Sequence, residues 1–348
     1  MSEFEINDVR TEKQFKSISF SGFKKTEVLK ELLNSLMNNK VEPACYWTAE
    51  LICAGHYIDL WNVYINFVGK NVHLANPKLP LYLDKRIQEF KNIMEGGYVG
   101  QELRLRNSDK MRNLFAEICA IVCISNRKPA LESIKIKKSE EFDITKMTER
   151  FKAPNATFAE HIFRKEDPRE LFIAVNELSY NIHNKDIMRC CYWVEWILEY
   201  ETICKQKKHK CKCDRRSEIP VNDKDQMDII WLVWDLILYY ASNNSELYQK
   251  VITSLLNIYC LRYTSGTVKK RKFIIYFAIS MLTEIVNFRY DIIANKKVVK
   301  NVKDKVNMIY KEIKKNEISP ATDYLFNNEV GKSNIEKTIE KLDIMKNF

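Results

Sequence analysis

The chain of 348 residues is long enough for two domains, and its eight glycines and eight prolines are few against the usual ~7% and ~5%. That scarcity disfavours glycine-dependent folds such as dinucleotide-binding sheets and β-sandwiches, and favours long helices with short connections. The net charge of +10 excludes an acidic solvating protein and points to a polyanion or an acidic protein surface as partner.

Residues 1–24 read as a polar arm. In "TEVLKELLNSLMNN" (26–39), Val28, Leu29, Leu32, Leu33, Leu36 and Met37 form one stripe at helical spacing. Pro43 suits the first turn of the next helix, which should stop at Gly55. A third helix should run from Tyr57 to a stop at Gly69. "NPKLP" at 76–80 breaks the chain, because the residue before a proline avoids the helical region. Helices over about 81–95 and 108–125 complete a first unit, 25–130.

Residues 131–155 read as a charged linker in which "SIKIK" has strand-like alternation. A second helical unit, 156–294, is expected to hold helices near 168–183, 186–204, 224–241, 245–263 and 268–294. A basic loop, 205–222, interrupts it. In 295–348, Val298, Val299, Val302, Val306, Ile309 and Ile313 form a last stripe with lysines opposite, and the final thirty residues should fray. The fold class is therefore all-α, two helical units joined by a charged linker. "ACYWTAEL" (44–51) and "CCYWVEWIL" (190–198) each follow an amphipathic helix and an Asn-Lys turn. A diverged duplication and chance reuse of apolar helical residues both account for that echo.

Positive charge gathers in two blocks. Residues 205–216 hold five lysines and two arginines against Asp214, a net of +6, and "KKRK" follows at 269–272. Other lysine-rich stretches read as offset by neighbouring acids. Lys205, Lys207, Lys208, Lys210, Lys212, Arg215, Arg216, Lys269, Lys270, Arg271 and Lys272 are the candidate contacts to nucleic acid or an acidic partner. Cys204, His209, Cys211 and Cys213 are soft metal ligands, but zinc sites usually join two separated pairs. Polyanion contact therefore ranks first, a solvated loop second and metal last.

No phosphate loop, dinucleotide fingerprint, nucleophile elbow or HExxH is present, and "GKS" at 331–333 lacks its earlier glycine. No cofactor is expected. Glu50, Glu195 and Asp235 lie within apolar helices beside tryptophans, so each must be paired or exposed. Meeting a lysine or capping a helix is the first expectation, and dispersed acid catalysis the alternative. Trp47, Trp61, Trp193, Trp196, Trp231 and Trp234 sit at core spacing. Cys45, Cys53, Cys119, Cys123, Cys190, Cys191 and Cys260 lie in apolar stretches, as buried thiols do. The acidic start "MSEFEINDVR" does not read as a secretory signal. A reducing intracellular location is expected, with no membrane span.

Two resemblances add expectations. "ACYWTAELICAGHYIDLWNVYINFVGKNVHLANPKLP" (44–80) resembles the helical collar of clamp-loader-class AAA+ proteins, the branch that includes the RarA/WHIP recombination factors. Tyr46-Trp47, Gly55 and Leu74-Ala75-Asn76-Pro77 carry it, over about a tenth of the chain. With no ATPase motif beside it, it implies a collar for self-association or partner binding rather than ATP hydrolysis. Through "AELICAGHYIDLW" and "LANPKLPLYL", the whole chain resembles an uncharacterised protein family of large nucleocytoplasmic DNA viruses. That resemblance implies host cytoplasm, a virus factory or the virion. The expected function is a non-enzymatic binding or assembly protein, with an internal or minor capsid protein as alternative.

Overall fold

The computed structural model describes residues 3–137, 142, 148–209 and 211–318. Parts of the linker, Lys210, and the tail with Gly331-Lys332-Ser333 lie outside the described residues. The rest is all-α, with one isolated bridge between Ile18 and Lys24. The "SIKIK" alternation forms no strand; Ile134 and Ile136 pack on the core instead. No helix among the described residues is long and apolar enough to cross a membrane.

The first unit contains α1 (Lys25–Met37), α2 (Val41–Cys53), α3 (Tyr57–Phe67), α4 (Leu79–Glu95) and α5 (Asp109–Ile124). The second contains α6 (Phe172–His183), α7 (Ile187–Gln206), α8 (Ile230–Ser242), α9 (Glu246–Cys260) and α10 (Lys272–Thr283). The last helix, α11 (Lys296–Lys314), returns to pack on α5 and α2. α1 pairs with α2, α6 with α7, and α4 lies on α9, so the two units share one core.

Four helix ends use the same cap. After α1, Asn39 takes φ 56°, its N–H bonds Leu36 O, and Lys40 N–H bonds Ser35 O. Lys185 (φ 59°) repeats this after α6, Gly55 (φ 78°) after α2 and Lys208 (φ 55°) after α7. A left-handed residue just past the helix lets two otherwise orphaned carbonyls find donors. The two Asn-Lys turns sit one residue out of step in this cap, the left-handed residue being Asn39 in the first and Lys185 in the second. The paired rings after them also match, Tyr46–Trp47 at 5.1 Å and 81° against Tyr192–Trp193 at 5.1 Å and 80°.

Three expectations change. The segment before α1 is no detached arm: Ile6, Phe15 and Phe20 are buried, and Asn107 exchanges hydrogen bonds with the Ile6 backbone. Gly69 does not stop a helix. It lies in a π-helical turn, Val68–Val72, where an added Cβ would stand 2.9 Å from Ile274 Cδ1, so glycine permits close approach to α10. α10 ends at Thr283 rather than near 294. Beyond it Asn287 Oδ1 accepts Arg289 N–H, a local bond that competes with helix.

The cap geometry sets a stability test. Lys185→Gly should raise unfolding free energy by about 0.5–1 kcal/mol, because glycine adopts positive φ without Cβ strain. Lys185→Val should lower it by roughly 1 kcal/mol or more. Urea denaturation of both variants measures the difference.

Candidate functional site

The two basic blocks meet along α7. Lys272 Nζ bonds Glu195 Oε1 at 2.7 Å, Lys269 Nζ lies 3.6 Å from Glu199 Oε2, and Lys205 Nζ lies 2.9 Å from Glu201 Oε1. Glutamates on one helix thus hold cations from both blocks. The loop after α7 is itself seated: Cys213 N–H bonds Met227 O and Arg216 N–H bonds Gln226 O. That register brings Lys212 Nζ onto Asp228. Arg215 donates to Gln226 Oε1 at 2.7 Å and pairs with Asp223 at 2.9 Å.

Two of the predicted anion-binding arginines are interior groups. Arg216 is fully buried between Asp167, which it grips with two nitrogens, and Asp235, 2.9 Å from Nε. Burial alone would lower the guanidinium pKa, but the bonds to Asp167 outweigh it and hold Arg216 above its ordinary value. Burial likewise works to raise Asp167, and the Arg216 bonds reverse that and hold its carboxyl below the usual range. Arg271 is buried too. It donates to the carbonyls of Tyr259 and Leu261 at the end of α9, and to Asn62 Oδ1 at 2.8 Å. It caps a helix and reaches no anion outside.

The expectation of an exposed basic surface at 205–216 fails for Arg216, and Arg271 of the second block is interior as well. A local charge count found only Asp214, while acids distant in sequence supply the partners. Among the described residues, Lys207, Lys208 and Lys270 are exposed without an ion pair, and Lys210 lies outside them. Pairs such as Lys205–Glu201 remain partly open to solvent, where an ion pair is worth only ~0–1 kcal/mol.

Of the four soft ligands only Cys204 and Cys211 are neighbours. Cys213 faces the core, its thiol donating to Asp228 O at 3.2 Å, while His209 is exposed past the α7 cap. Burial and the neighbouring Cys204 thiol push Cys211 up to about 12, away from the thiolate a metal needs. Among the described residues no group of three or more His, Cys, Asp or Glu could hold a metal ion. All ten cysteines are free thiols and nine are buried.

The three helix carboxylates have structural partners. Glu50 accepts Ser21 N–H at 3.0 Å, capping a turn. Glu195 accepts the Tyr276 hydroxyl at 2.6 Å besides Lys272, and Asp235 holds Arg216. Sequence reasoning missed Glu177, buried on α6, which accepts Lys152 and Ala153 N–H. Trp61, Trp193, Trp196, Trp231 and Trp234 are core residues, and Trp47 is half-buried.

Unpaired charge stands elsewhere. α11 carries seven lysines against Asp304 and Glu312, a net of +5 that the sequence reading took as offset. Val299, Val306, Tyr310 and Ile313 bury its apolar side. At 100° per residue, Lys296, Lys300, Lys303, Lys311 and Lys314 share one stripe that flanks the buried side, centred roughly 90° from it. Lys303 and Lys311 meet Glu117 and Glu3; Lys296, Lys297, Lys300, Lys305 and Lys314 have no ion pair among the described residues. Counting charges per predicted helix would have exposed this face.

The buried cluster sets a second stability test. Arg216→Ala should cost about 3–5 kcal/mol, because two acids lose their buried partner. Lys207→Gln with Lys208→Gln should stay within about 0.5 kcal/mol. Asp167 contributes stability present above the unfolded carboxylate pKa and lost as pH falls through its lowered folded value. The denaturation midpoint should therefore fall more steeply below about pH 4 in the parent than in Asp167→Asn.

No family model, curated protein or solved structure matches the chain.

Proposed function

We propose that this is a non-enzymatic helical binding protein that docks on the phosphate backbone of duplex DNA through the lysine face of α11. The observation that carries this reading is the lysine stripe of α11, of which Lys296, Lys300 and Lys314 have no ion pair among the described residues, while Lys303 and Lys311 are paired. Lys296 to Lys314 spans about 27 Å of helix axis, enough to bridge the backbones flanking a ~12 Å major groove. Lys296 and Lys297 also occupy the first turn, where the helix dipole disfavours cations, so helix stability does not account for them.

The face is polar, shared with Asp304 and Asn307, which suits phosphates rather than the stacking of unpaired bases. The helix is anchored from behind. Arg112 stacks 4.0 Å over the Tyr310 ring and donates to Asn307 Oδ1. Its apolar side is occupied by α5 and α2 and is not available for insertion into a lipid surface. Lys207, Lys208 and Lys270 add positive charge elsewhere on the protein. The structural pairing of Glu50, Glu195 and Asp235 supports a binding role over acid catalysis.

Salt titration of full-length protein with two unrelated fluorescent duplexes tests this. Affinity should fall steeply and equally for both sequences. Lys296→Gln/Lys300→Gln/Lys314→Gln should flatten the log–log slope by about 2.7, or ~0.9 per lost phosphate contact, and leave the fold intact because Gln matches Lys in helix propensity. An unchanged slope removes α11 from the interface.

A further inference from the structure

α1 carries two parallel apolar rows, and the core uses only one. Val28, Leu32 and Leu36 are buried. Leu29, Leu33 and Met37, one residue further on, line a groove of ≈ 750 Å³ against Val63 and Phe67 of α3. Leu33 is 42% exposed and Met37 47%. A row of exposed apolar side chains at i, i+4, i+8 marks a contact surface rather than a core.

The rim is cationic. Lys30 stands on α1, Lys70 on the π-helical turn, and Lys270 arrives from the turn before α10. None forms an ion pair among the described residues, although Lys70 Nζ lies 5.3 Å from the Phe273 ring centroid. The one carboxylate in the lining, Asp59, is already held by Lys25 Nζ at 2.9 Å. Asn66 also lines the groove, and its side-chain oxygen is buried with no hydrogen-bond partner.

We propose that this groove binds an amphipathic helix of a partner protein, its apolar residues at i, i+4, i+7 on the floor and acidic residues against Lys30, Lys70 and Lys270. An apolar floor with anchors at helical spacing fits the helix-in-groove mode, and methionine adapts to irregular side chains. Three unpaired lysines select for acidic flanks. A second copy is disfavoured, because a chain of net charge +10 would bring more positive charge to a positive rim. A phosphate backbone offers nothing to Leu33 and Met37. The site uses no lysine of α11, so it stands or falls independently of DNA binding.

The test is fluorescence anisotropy of full-length protein with synthetic helices of about 18 residues, five turns long, bearing a leucine row flanked by Glu, Gln or Lys. The Glu peptide should bind at least about tenfold more tightly than the Gln peptide, and the Lys peptide should not bind. Leu33→Asp/Met37→Asp should weaken the Glu peptide by about tenfold or more, with an unchanged circular dichroism spectrum because both residues are exposed. Lys30→Gln/Lys270→Gln should narrow the gap between Glu and Gln peptides. Equal binding of the Glu and Gln peptides overturns the proposal, as does retention of binding by Leu33→Asp/Met37→Asp. Sedimentation velocity showing a dimer that dissolves in Leu33→Asp also overturns it, by assigning the groove to a second copy.

Discussion

A guanidinium in a protein interior must find acceptors for its donors, and Arg216 takes two carboxylates, Asp167 and Asp235. Asp167 precedes α6 and Asp235 lies on α8, so the arginine ties a loop, a helix and the entry to another helix into one arrangement. Such a cluster adds little net stability over an apolar replacement of similar volume, but losing one member leaves a buried charge alone. Its effect is to specify the path of residues 211–216. Once that path is set, Cys213 turns inward, Lys212 meets Asp228 and Arg215 meets Asp223.

The same demand for partners sorts the basic residues among those described. Glutamates on α7 take Lys205, Lys269 and Lys272, and the carbonyl end of α9 takes Arg271. Cations that find a partner inside the fold become part of its architecture. Those on α11 and around the α1–α3 groove find few acids within reach, and their charge remains available to an external partner. The densest basic run is thus the better compensated one, and the least compensated lysines lie on α11 and around the α1–α3 groove.

Close packing between the units shapes the second surface. Gly69 lets the turn after α3 approach the start of α10, and Arg271 fastens that start to Asn62. Lys270 is thereby delivered to a groove whose floor comes wholly from the first unit. The groove consequently depends on both units.

Periodicity was enough to read the helices. The stripes of α1 and α11, the cap at Gly55, the first-turn Pro43 and the core tryptophans were all legible, because helix spacing and cap chemistry are local properties. So was the need for Glu195 and Asp235 to find partners. The identity of those partners was not legible. Lys272 lies 77 residues from Glu195, and Arg216 lies 49 from Asp167. Local charge counts see none of this, which is why a net of +6 at 205–216 read as a free surface. The division of the α1 stripe into a buried row and a groove row also needed the neighbours, since spacing shows which side chains share a face but not what covers it. The sequence by itself determined the helical class, most helix limits and the buried thiols. Tertiary structure alone decided which charges cancel and which apolar rows stay open, because both depend on contacts between residues far apart in the chain.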